Sequence, residues 1–236
     1  MKALIFAAGR GERMRPLSDQ TAKPLLYAGG KRLIEWQIEA LARAGIHELV
    51  INLAHLADRF EPELGDGLHY GVQIQYSREG TNADEALETL GGIVNALPLL
   101  GPGPFVALSG DIVTDYDYRH LQAHAQAIAL GAADAHLVLV ENRPFHPGGD
   151  MGLVDGRIAR SLPWLTYANI AVLSPRLFAA EAPGKKKLFP WLYMFADSGR
   201  VTGEKHRGRW FNVGTPADLE ALDLELRQRP PTLPTA

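Results

Sequence analysis

The segment that decides the fold is Ala3–Leu26, ALIFAAGRGERMRPLSDQTAKPLL, in which a short apolar run passes into a loop of small and cationic residues. Ala3–Ala8 has the length and the apolar character of a central parallel strand. Small residues after that strand would let backbone N–H groups approach a polyphosphate closely. These residues are Ala7, Ala8, Gly9 and Gly11. Arg13 and Lys23 add the positive charge that a triphosphate requires, so the segment predicts a phosphate-binding loop.

Two common nucleotide-binding motifs do not fit this segment. A dinucleotide-binding loop requires G-x-G-x-x-G at the start of a helix, and after Gly9 and Gly11 the third glycine would fall at Met14. The Walker motif, G-x-x-x-x-G-K-[ST], occurs nowhere in the sequence. A dehydrogenase is thereby disfavoured. A glycine-containing turn with solvated charges stays open as the alternative to a phosphate site.

Composition excludes several other classes. The 236 residues carry a net charge of −3 and their lysines and arginines are scattered, which argues against a nucleic-acid-binding surface. The chain has no cysteine, so disulfides, thiolate nucleophiles and zinc–thiolate sites are excluded. The first apolar run is too short for a signal peptide, and no run of about 18 apolar residues predicts a membrane span. We expect a cytoplasmic protein that binds neither nucleic acid nor membrane.

Up to about Asn142, apolar runs typical of strands alternate with segments typical of helices. Strands are predicted at Ala3–Ala8, Glu48–Leu53, Val72–Tyr76, Phe105–Ser109 and Ala135–Val140. Helices are predicted at Leu33–Ala44, Leu56–Leu64, Glu85–Leu97 (with Pro98 as its stop) and Tyr118–Leu130. This alternation with short connections predicts a mainly parallel sheet flanked by helices on both faces.

After Asn142 the pattern changes to short strands separated by turns. Further strands are predicted at Met151–Val154, Arg157–Arg160, Thr166–Leu173 and Val201–Lys205, and further helices at Leu188–Ala196 and Pro216–Arg227. The Asp155-Gly156 pair has the composition of a two-residue hairpin turn. We expect a small antiparallel extension packed on the parallel core. Residues 1–229 would then form a single domain and the proline-rich residues 230–236 a frayed tail.

A carboxylate, Asp111, follows the predicted strand Phe105–Ser109. The carboxyl end of a parallel strand faces the crevice in which open α/β sheets bind ligands. One or two carboxylates, together with phosphate oxygens and water, are the ligands that Mg²⁺ prefers. The position therefore indicates a magnesium site, with a role in a turn or a helix cap as the alternative.

The stretch Ala7–Leu26, AAGRGERMRPLSDQTAKPLL, resembles the signature of the sugar nucleotidyltransferases, which runs approximately LAAGxGxRMxPLTxxxPKPL. Here Ser18 replaces the usual threonine, and Ala22 stands where proline is common. The resemblance implies a single Rossmann-like (GT-A-like) α/β domain that transfers a nucleotidyl group to a sugar 1-phosphate and releases pyrophosphate. It also implies phosphate binding by Gly9 and Gly11, catalytic positive charge on Arg13 and Lys23, and a Mg²⁺ ligand at Asp111.

A second metal ligand is implied near the C-terminus, where the family usually reads W-x-D-V-G-T. This chain reads WFNVGT at Trp210–Thr215, with Asn212 at the aspartate position. An amide oxygen can coordinate Mg²⁺ but brings no negative charge, so weaker metal binding is expected. The replacement leaves open a non-catalytic homologue that binds sugar nucleotides and regulates a partner.

Further segments resemble the substrate pockets of the family. The sequence from Glu79 through Ala86–Ile93 is similar to E-x-x-x-L-E-T-G-G-G-I, with Leu90 in place of the first glycine. The resemblance implies contacts with the base and ribose from Glu79, Thr89, Gly91 and Gly92. The candidates for binding the sugar are Glu141, Asp150, Asn169 and Lys187. A lysine would suit an anionic acceptor, and the alternative for Lys185–Lys187 is a solvated surface run.

The stretches NRPFHPGGD at 142–150 and VTGEKHRGRWFNVGT at 201–215 resemble short uridylyltransferases of bacterial cell-wall recycling. This likeness implies UTP as the donor and N-acetylmuramate 1-phosphate as the acceptor, with mannose or glucose 1-phosphate as alternatives. A nucleotide-sugar glycosyltransferase is a further alternative, because Asp115-Tyr116-Asp117 fits a D-x-D metal motif. Acidic residues ahead of a predicted helix are more commonly N-terminal caps. The oligomeric state is not predicted.

Overall fold

The structure is a computed structural model that describes residues 1–80 and 83–229, and within those ranges the chain forms thirteen β-strands and six α-helices. The strands are β1 (Ala3–Phe6), β2 (Tyr27–Ala28), β3 (Lys31–Arg32), β4 (Glu48–Leu53), β5 (Gln73–Arg78), β6 (Phe105–Ser109), β7 (Ile112–Thr114), β8 (Ala135–Val140), β9 (Met151–Val154), β10 (Arg157–Ala159), β11 (Trp164–Leu173), β12 (Val201–Lys205) and β13 (Trp210–Asn212). The α-helices are α1 (Leu33–Arg43), α2 (Phe60–Leu64), α3 (Glu88–Leu100), α4 (Leu121–Ala129), α5 (Tyr193–Asp197) and α6 (Pro216–Gln228). The predicted tail, 230–236, lies outside the described residues. None of the described helices is long and apolar enough to cross a membrane.

Nine of the described strands form one mixed sheet in the order β5-β4-β1-β6-β11-β8-β12-β10-β9. The first four strands in this order run parallel to one another. β11 is antiparallel to both of its neighbours, β6 and β8, whereas β8 and β12 are parallel. β10 is antiparallel to β12 and to β9. Strands from both halves of the chain therefore belong to the same sheet.

The sheet was predicted to be mainly parallel with a small antiparallel extension, but its antiparallel part is larger than predicted. The second half of the chain continues the core sheet, because β11 pairs directly with β6 in its middle. Ile170–Leu173 of β11 is fully buried, as expected for a strand covered on both faces. The hydrophobic pattern indicates this burial but not the direction of the strand, because side chains alternate in the same way in parallel and antiparallel strands.

Most predicted elements are present, and several differences occur at prolines. β4, β6, β8, β9 and β12 have the predicted bounds, and the Asp155-Gly156 turn joins β9 and β10 with φ angles of 48° and 72°. α3 does not stop at Pro98 but ends at Leu100, because the missing N–H of Pro98 removes only one hydrogen bond near the end of the helix. The helix predicted at Leu188–Ala196 is shortened to α5, since Pro190 lacks the N–H needed to continue a helix through it.

Apolar side chains pack against both faces of the sheet and against the loop after β1. α1, α2 and α4 cover one face, and α3 and α5 cover the other. A third cluster joins the loop after β1 to α1 and α6, and its members include Met14, Leu26, Trp36, Val213 and Leu226. Met14 is fully buried there, which stabilises the fold by roughly 1.5–3 kcal/mol. The glycine-containing loop is thus held against the last helix.

A capping box holds the N-terminus of α6. The Thr215 hydroxyl accepts a hydrogen bond from the Asp218 N–H at 3.2 Å, and the Asp218 carboxylate accepts from the N–H groups of Thr215 at 2.8 Å and Gly214 at 3.1 Å. The neighbouring Val213 carbonyl accepts a hydrogen bond from Lys23 Nζ at 3.2 Å. The cap therefore supports both the helix and the position of a lysine in the loop after β1.

Thr215→Ala removes the hydroxyl acceptor of this cap. We expect the free energy of unfolding to fall by about 1 kcal/mol, because a helix N–H loses its partner. A urea titration followed by circular dichroism measures the change. Thr215→Ser, which keeps the hydroxyl, is the control. Equal stability of the alanine and serine variants would show that the cap contributes nothing.

Candidate active site

A cleft of about 670 Å³ lies at the carboxyl ends of β1, β4, β5 and β6. The loop after β1 and the start of α3 form one side, and β11 with residues 185–189 forms the other. Open α/β sheets bind ligands at this edge. Of the residues predicted to bind substrates or metal, those that line the cleft are Ala7, Ala8, Gly9, Gly11, Lys23, Glu79, Thr89, Asp111, Asn169 and Lys187.

Lys23 and Asp111 form an ion pair in the cleft. Their side chains are only 18% and 15% exposed, so solvent screens these charges less than it screens charges on the open surface. The Asp111 carbonyl accepts a hydrogen bond from the Val213 N–H at 3.2 Å, and the Val213 carbonyl accepts from Lys23. Three separate segments of the chain therefore meet at one pair of opposite charges.

A chain of hydrogen bonds links the strand ends beside the cleft. The Ala7 N–H donates to Asn52 Oδ1 at 2.8 Å, and Asn52 Nδ2 donates to the Glu79 carboxylate. That carboxylate also accepts from the Leu87 N–H at 2.7 Å. Burial raises the pKa of Glu79, although both hydrogen bonds favour its ionised form. Glu79 therefore ties the start of α3 to the ends of β1 and β4.

Asn52 is a residue of the cleft that the sequence analysis missed. It is 3% exposed and stands near the end of the otherwise apolar strand ELVINL. A polar residue at that place is the signal that could have identified it, because strand ends face the ligand in open α/β sheets. Other lining residues that were missed are Phe6, Arg10, Ser109 and Phe189.

A bulge in β11 shapes the opposite wall of the cleft. After Tyr167 the register with β8 shifts, and Asn169 adopts a φ of 57°, in the left-handed region that asparagine tolerates better than most residues. The Ala168 carbonyl accepts a hydrogen bond from the Trp210 indole at 2.9 Å, and the Tyr167 N–H donates to the Asp150 carboxylate at 2.8 Å. Asn169 thus lines the cleft. Asp150, predicted to bind sugar, lies outside the lining and supports the bulge.

Arg13, predicted as a catalytic cation, also lies outside the lining of the cleft. Its side chain is exposed and its guanidinium lies beside Gly214. The turn at 12–14 buries Met14 in the third cluster and leaves Arg13 on the solvent side. Arg10 lines the cleft instead and forms ion pairs with Asp84 and Glu12.

Asn212 and Glu141 are likewise absent from the lining. Asn212 ends β13, where it pairs with Ile112, the residue directly after Asp111. It remains a candidate metal ligand because of this proximity along the paired strands. Glu141 is exposed and ion-paired with Lys205, which lowers the pKa of its carboxyl. Glu141 is therefore directed to solvent and is not proposed as a sugar contact.

Gly91 and Gly92 lie near the start of α3, buried and outside the lining of the cleft. A Cβ atom at Gly91 would lie 2.2 Å from the Gly184 carbonyl oxygen, and one at Gly92 would lie 2.4 Å from the Glu79 carboxylate. Leu90 is 2% exposed and packs in the core beneath α3. The two glycines therefore permit close packing around the cleft, and the leucine is a core residue of the helix.

The lysines of the Lys185–Lys187 run differ in their surroundings. Lys185 and Lys187 line the cleft, whereas the Lys186 ammonium pairs with Glu181 at 2.7 Å. The Lys186 carbonyl accepts hydrogen bonds from the first turn of α3, including one of 3.2 Å from the Gly91 N–H. The backbone is thus anchored to α3, and Lys185 and Lys187 bring two cationic residues to the lining of the cleft.

Oxygen donors suited to a divalent cation lie where β6 ends. Asp111 supplies a carboxylate in the cleft, and Asn212 stands on the strand paired with the residues that follow Asp111. A carboxylate and an amide oxygen, completed by water and phosphate oxygens, form a hard donor set of the kind that Mg²⁺ prefers. The residues present therefore fit a magnesium ion.

The sequence match identifies the class of protein to which this fold and cleft belong. The chain belongs to the nucleotidyl transferase family, whose model matches residues 2–151, and it is an enzyme of that class. The family membership predicted from the segment after β1 is thereby confirmed.

Two named relatives align along nearly the whole chain. An N-acetylmuramate alpha-1-phosphate uridylyltransferase of Neisseria meningitidis is 45% identical over 225 residues, which cover 93% of this chain and 96% of the relative. A protein of the same name from Caulobacter vibrioides is 34% identical over 239 residues, covering 96% and 97%. Among solved structures, a Bacillus anthracis protein described as a glucose-1-phosphate thymidylyltransferase covers 100% of this chain and 97% of its own, with a TM-score of 0.81. Its sequence identity is 19%, so this likeness shows the fold alone.

Gly91→Ala tests the packing of α3 against residues 184–187. We expect the free energy of unfolding to fall by about 1–3 kcal/mol, because the added methyl group meets a backbone carbonyl that cannot rotate away. Urea titration measures the loss. Gly103→Ala is the matched control, since a Cβ atom there meets nothing within 4 Å and the backbone is not left-handed. Equal stability of the two variants would contradict the assigned packing.

Proposed function

We propose that the protein transfers the uridylyl group of UTP to N-acetylmuramate 1-phosphate and releases pyrophosphate. The observation that carries the proposal is the meeting, in one cleft, of the loop after β1, the Lys23–Asp111 ion pair and the residues Lys185 and Lys187. This arrangement suits two phosphorylated substrates. The names of the Neisseria and Caulobacter relatives support UTP and this acceptor.

The proposed reaction brings two anionic groups together. An oxygen of the sugar phosphate attacks the α-phosphorus of UTP in line, and pyrophosphate leaves on the opposite side. No general base is required, because the attacking phosphate is ionised at neutral pH. Backbone N–H groups of the loop at Gly9 and Gly11 hold the triphosphate, and Lys23 offsets the charge that develops on the leaving group. Such a contact is worth about 2–4 kcal/mol of barrier.

Arg13 is the second proposed catalytic cation. Its guanidinium lies beside Gly214, at the end of the segment that also supplies the Val213 carbonyl to Lys23. To act, the Arg13 side chain must turn from Gly214 toward the phosphates. An exposed arginine can do so without breaking core packing.

The two walls of the cleft suit different substrates. Glu79 and Thr89, beside α3, are proposed to contact the base and ribose of UTP. Asn169, Lys185 and Lys187 are proposed to contact the acceptor from the opposite wall. N-acetylmuramate 1-phosphate carries a lactyl carboxylate as well as a phosphate, and glucose and mannose 1-phosphate have no such carboxylate. Two lysines on this wall therefore match two anionic groups of the acceptor.

Mg²⁺ is the proposed cofactor. Asp111 would hold it, with Asn212 as a second ligand, and a bound Mg²⁺ would neutralise negative charge on the phosphates of both substrates. Because Asn212 stands where the family signature W-x-D-V-G-T has aspartate, the protein provides one negative charge fewer. More of the protein's affinity for Mg²⁺ must then come from the phosphates of the nucleotide, so Mg²⁺ and UTP are expected to bind together.

A glycosyltransferase using Asp115-Tyr116-Asp117 as a metal motif is disfavoured. Asp115 pairs with His206 at 3.0 Å, and Asp117 caps the turn before α4 by accepting a hydrogen bond from the Arg119 N–H at 3.0 Å. Neither aspartate lines the cleft. The regulatory homologue was suggested by Asn212 and Leu90, and Leu90 is a core residue of α3. The ion pair in the cleft gives the chain the charges expected for catalysis.

Pyrophosphate release tests the proposed reaction. With Mg²⁺, we expect release from UTP and N-acetylmuramate 1-phosphate, and slower release with glucose or mannose 1-phosphate or with another nucleoside triphosphate. Lys23→Ala is expected to lower kcat about a hundredfold or more, because a charge that stabilises the transition state is lost. Lys31→Ala is the control, since Lys31 pairs with Glu39 outside the cleft.

The outcomes separate the competing functions. Efficient release with a different sugar phosphate would keep the reaction and reject the proposed acceptor. Binding of UTP without release from any pair would favour the regulatory homologue. A Lys23→Ala variant as fast as wild type would refute the role of that lysine.

The lysine run allows a matched test of acceptor recognition. Lys185→Ala and Lys187→Ala are expected to raise KM for N-acetylmuramate 1-phosphate about tenfold, the effect of losing roughly 1.4 kcal/mol of binding. KM for UTP should change little. Lys186→Ala is the control, because its ammonium pairs with Glu181. If all three variants behave alike in steady-state kinetics, the run acts only through its overall charge.

A further inference from the structure

A second cluster of possible ligands lies between α4 and the sheet. Its members are His124 of α4, His136 of β8 and Glu204 of β12, whose ligand atoms lie within 4.8 Å of one another. In the sheet, His136 pairs with Val172 of β11, and Val172 pairs in turn with Val106 of β6. β6 reaches the cleft at Ser109, three residues after Val106. At about 3.3 Å per residue, the cluster lies roughly 10 Å along the strands from the cleft.

Hydrogen bonding determines which nitrogen of His136 is free. The Thr202 hydroxyl donates its hydrogen to the Ala135 carbonyl at 3.2 Å, so in its 2.9 Å contact with His136 Nδ1 it must accept. His136 Nδ1 therefore carries a hydrogen, and in this tautomer of the ring Nε2 has a lone pair. His136 is 1% exposed, and its Nε2 has no hydrogen-bond partner among the described residues.

The free nitrogen of His136 faces a carboxylate. Glu204 Oε1 lies 3.6 Å from His136 Nε2 and also accepts a hydrogen bond from the Tyr116 hydroxyl. A lone pair and a carboxylate oxygen repel each other unless a cation lies between them, either a proton or a metal ion. Two ligand atoms of a tetrahedral Zn²⁺ are about 3.4 Å apart. The observed separation is thus within a few tenths of an ångström of that required by a metal.

His124 provides a third ligand from the helix. Its ring is stacked on that of His136, with centroids 3.4 Å apart and an angle of 11°, and it must turn out of this stack to bind the same ion. His124 is half-buried on α4. The bonds from His136 Nδ1 to Thr202 and from Tyr116 to Glu204 orient the other two ligands, as outer partners do in metal sites.

We propose that His124, His136 and Glu204 form a site for a divalent transition-metal ion, with Zn²⁺ as the reference ion. Two imidazoles and a carboxylate suit zinc and its neighbours, and not Mg²⁺. The Glu204 side chain is 32% exposed, which leaves room for water as a fourth ligand. The bound ion would join α4 to β8 and β12. The site is separate from the oxygen donors at Asp111.

Metal binding by tag-free protein, first stripped with a chelator, tests this site. We expect one equivalent of Co²⁺ to bind with the visible absorption of a low-symmetry complex, and Zn²⁺ to displace it. At a free Zn²⁺ concentration of about 100 times Kd, the melting temperature should rise by about 5 °C or more. Mg²⁺ should not displace the Co²⁺. If the protein binds neither Co²⁺ nor Zn²⁺, the cation between His136 Nε2 and Glu204 is a proton and not a metal ion. That result would overturn the proposal.

Two variants locate the bound ion. His124→Gln and, independently, Glu204→Gln should each weaken Zn²⁺ binding at least tenfold, whereas the exposed control His69→Gln should bind as wild type does. Melting curves recorded in chelator verify that each variant is folded before metal is added. If the His124→Gln and Glu204→Gln variants both bind Zn²⁺ as tightly as wild type does, the ion is held elsewhere, for example at Asp111. That result would overturn the proposed site.

Discussion

The parallel pairing of β1 between β4 and β6 is the constraint on which the rest of the site depends. Phe6, the last residue of β1, lies level with Asn52 of β4 and with Ser109 of β6. Ala3, Leu4 and Ile5 are fully buried, so this register is held by the core. A slip of one residue would turn each side chain to the other face of the sheet. The register therefore places the loop after β1, the Asn52–Glu79 hydrogen bonds and Asp111 around one opening.

The cleft combines a rigid framework with opposing charges. Asn52 and Glu79 hold the strand ends through buried hydrogen bonds, and Lys23 and Asp111 are fixed through the backbone of Val213. Charges held in place before substrates arrive need little reorganisation during the reaction, which is the main advantage of such a site for phosphoryl chemistry. The same sheet places a second group of polar side chains around His136, in surroundings where nitrogen donors replace oxygen donors.

Local patterns predicted those parts of the site whose chemistry is contained in one segment. The loop after β1 carries its small residues and Lys23 within one stretch, and Asp111 directly follows an apolar strand, so both were found from the sequence. Asn52 was missed because its role depends on Ala7 and Glu79, which reach it only through the pairing of β4 with β1 and β5. Glu79 was predicted from the family resemblance, because no local sequence pattern identifies such a residue on its own.

The family, the small residues and Lys23 in the loop after β1, the acidic residue at the end of β6 and most strand positions could be read from the sequence, because these follow from residue type and short spacing. The direction of β11 and the supporting role of Asp150 became visible only in the folded chain. The folded chain likewise shows that Lys186 pairs with Glu181 while its neighbours line the cleft. Each of these depends on contacts between segments distant in sequence, and such contacts leave no periodic pattern within either segment. The grouping of His124, His136 and Glu204 is of the same kind, since one helix and two strands contribute a single residue each.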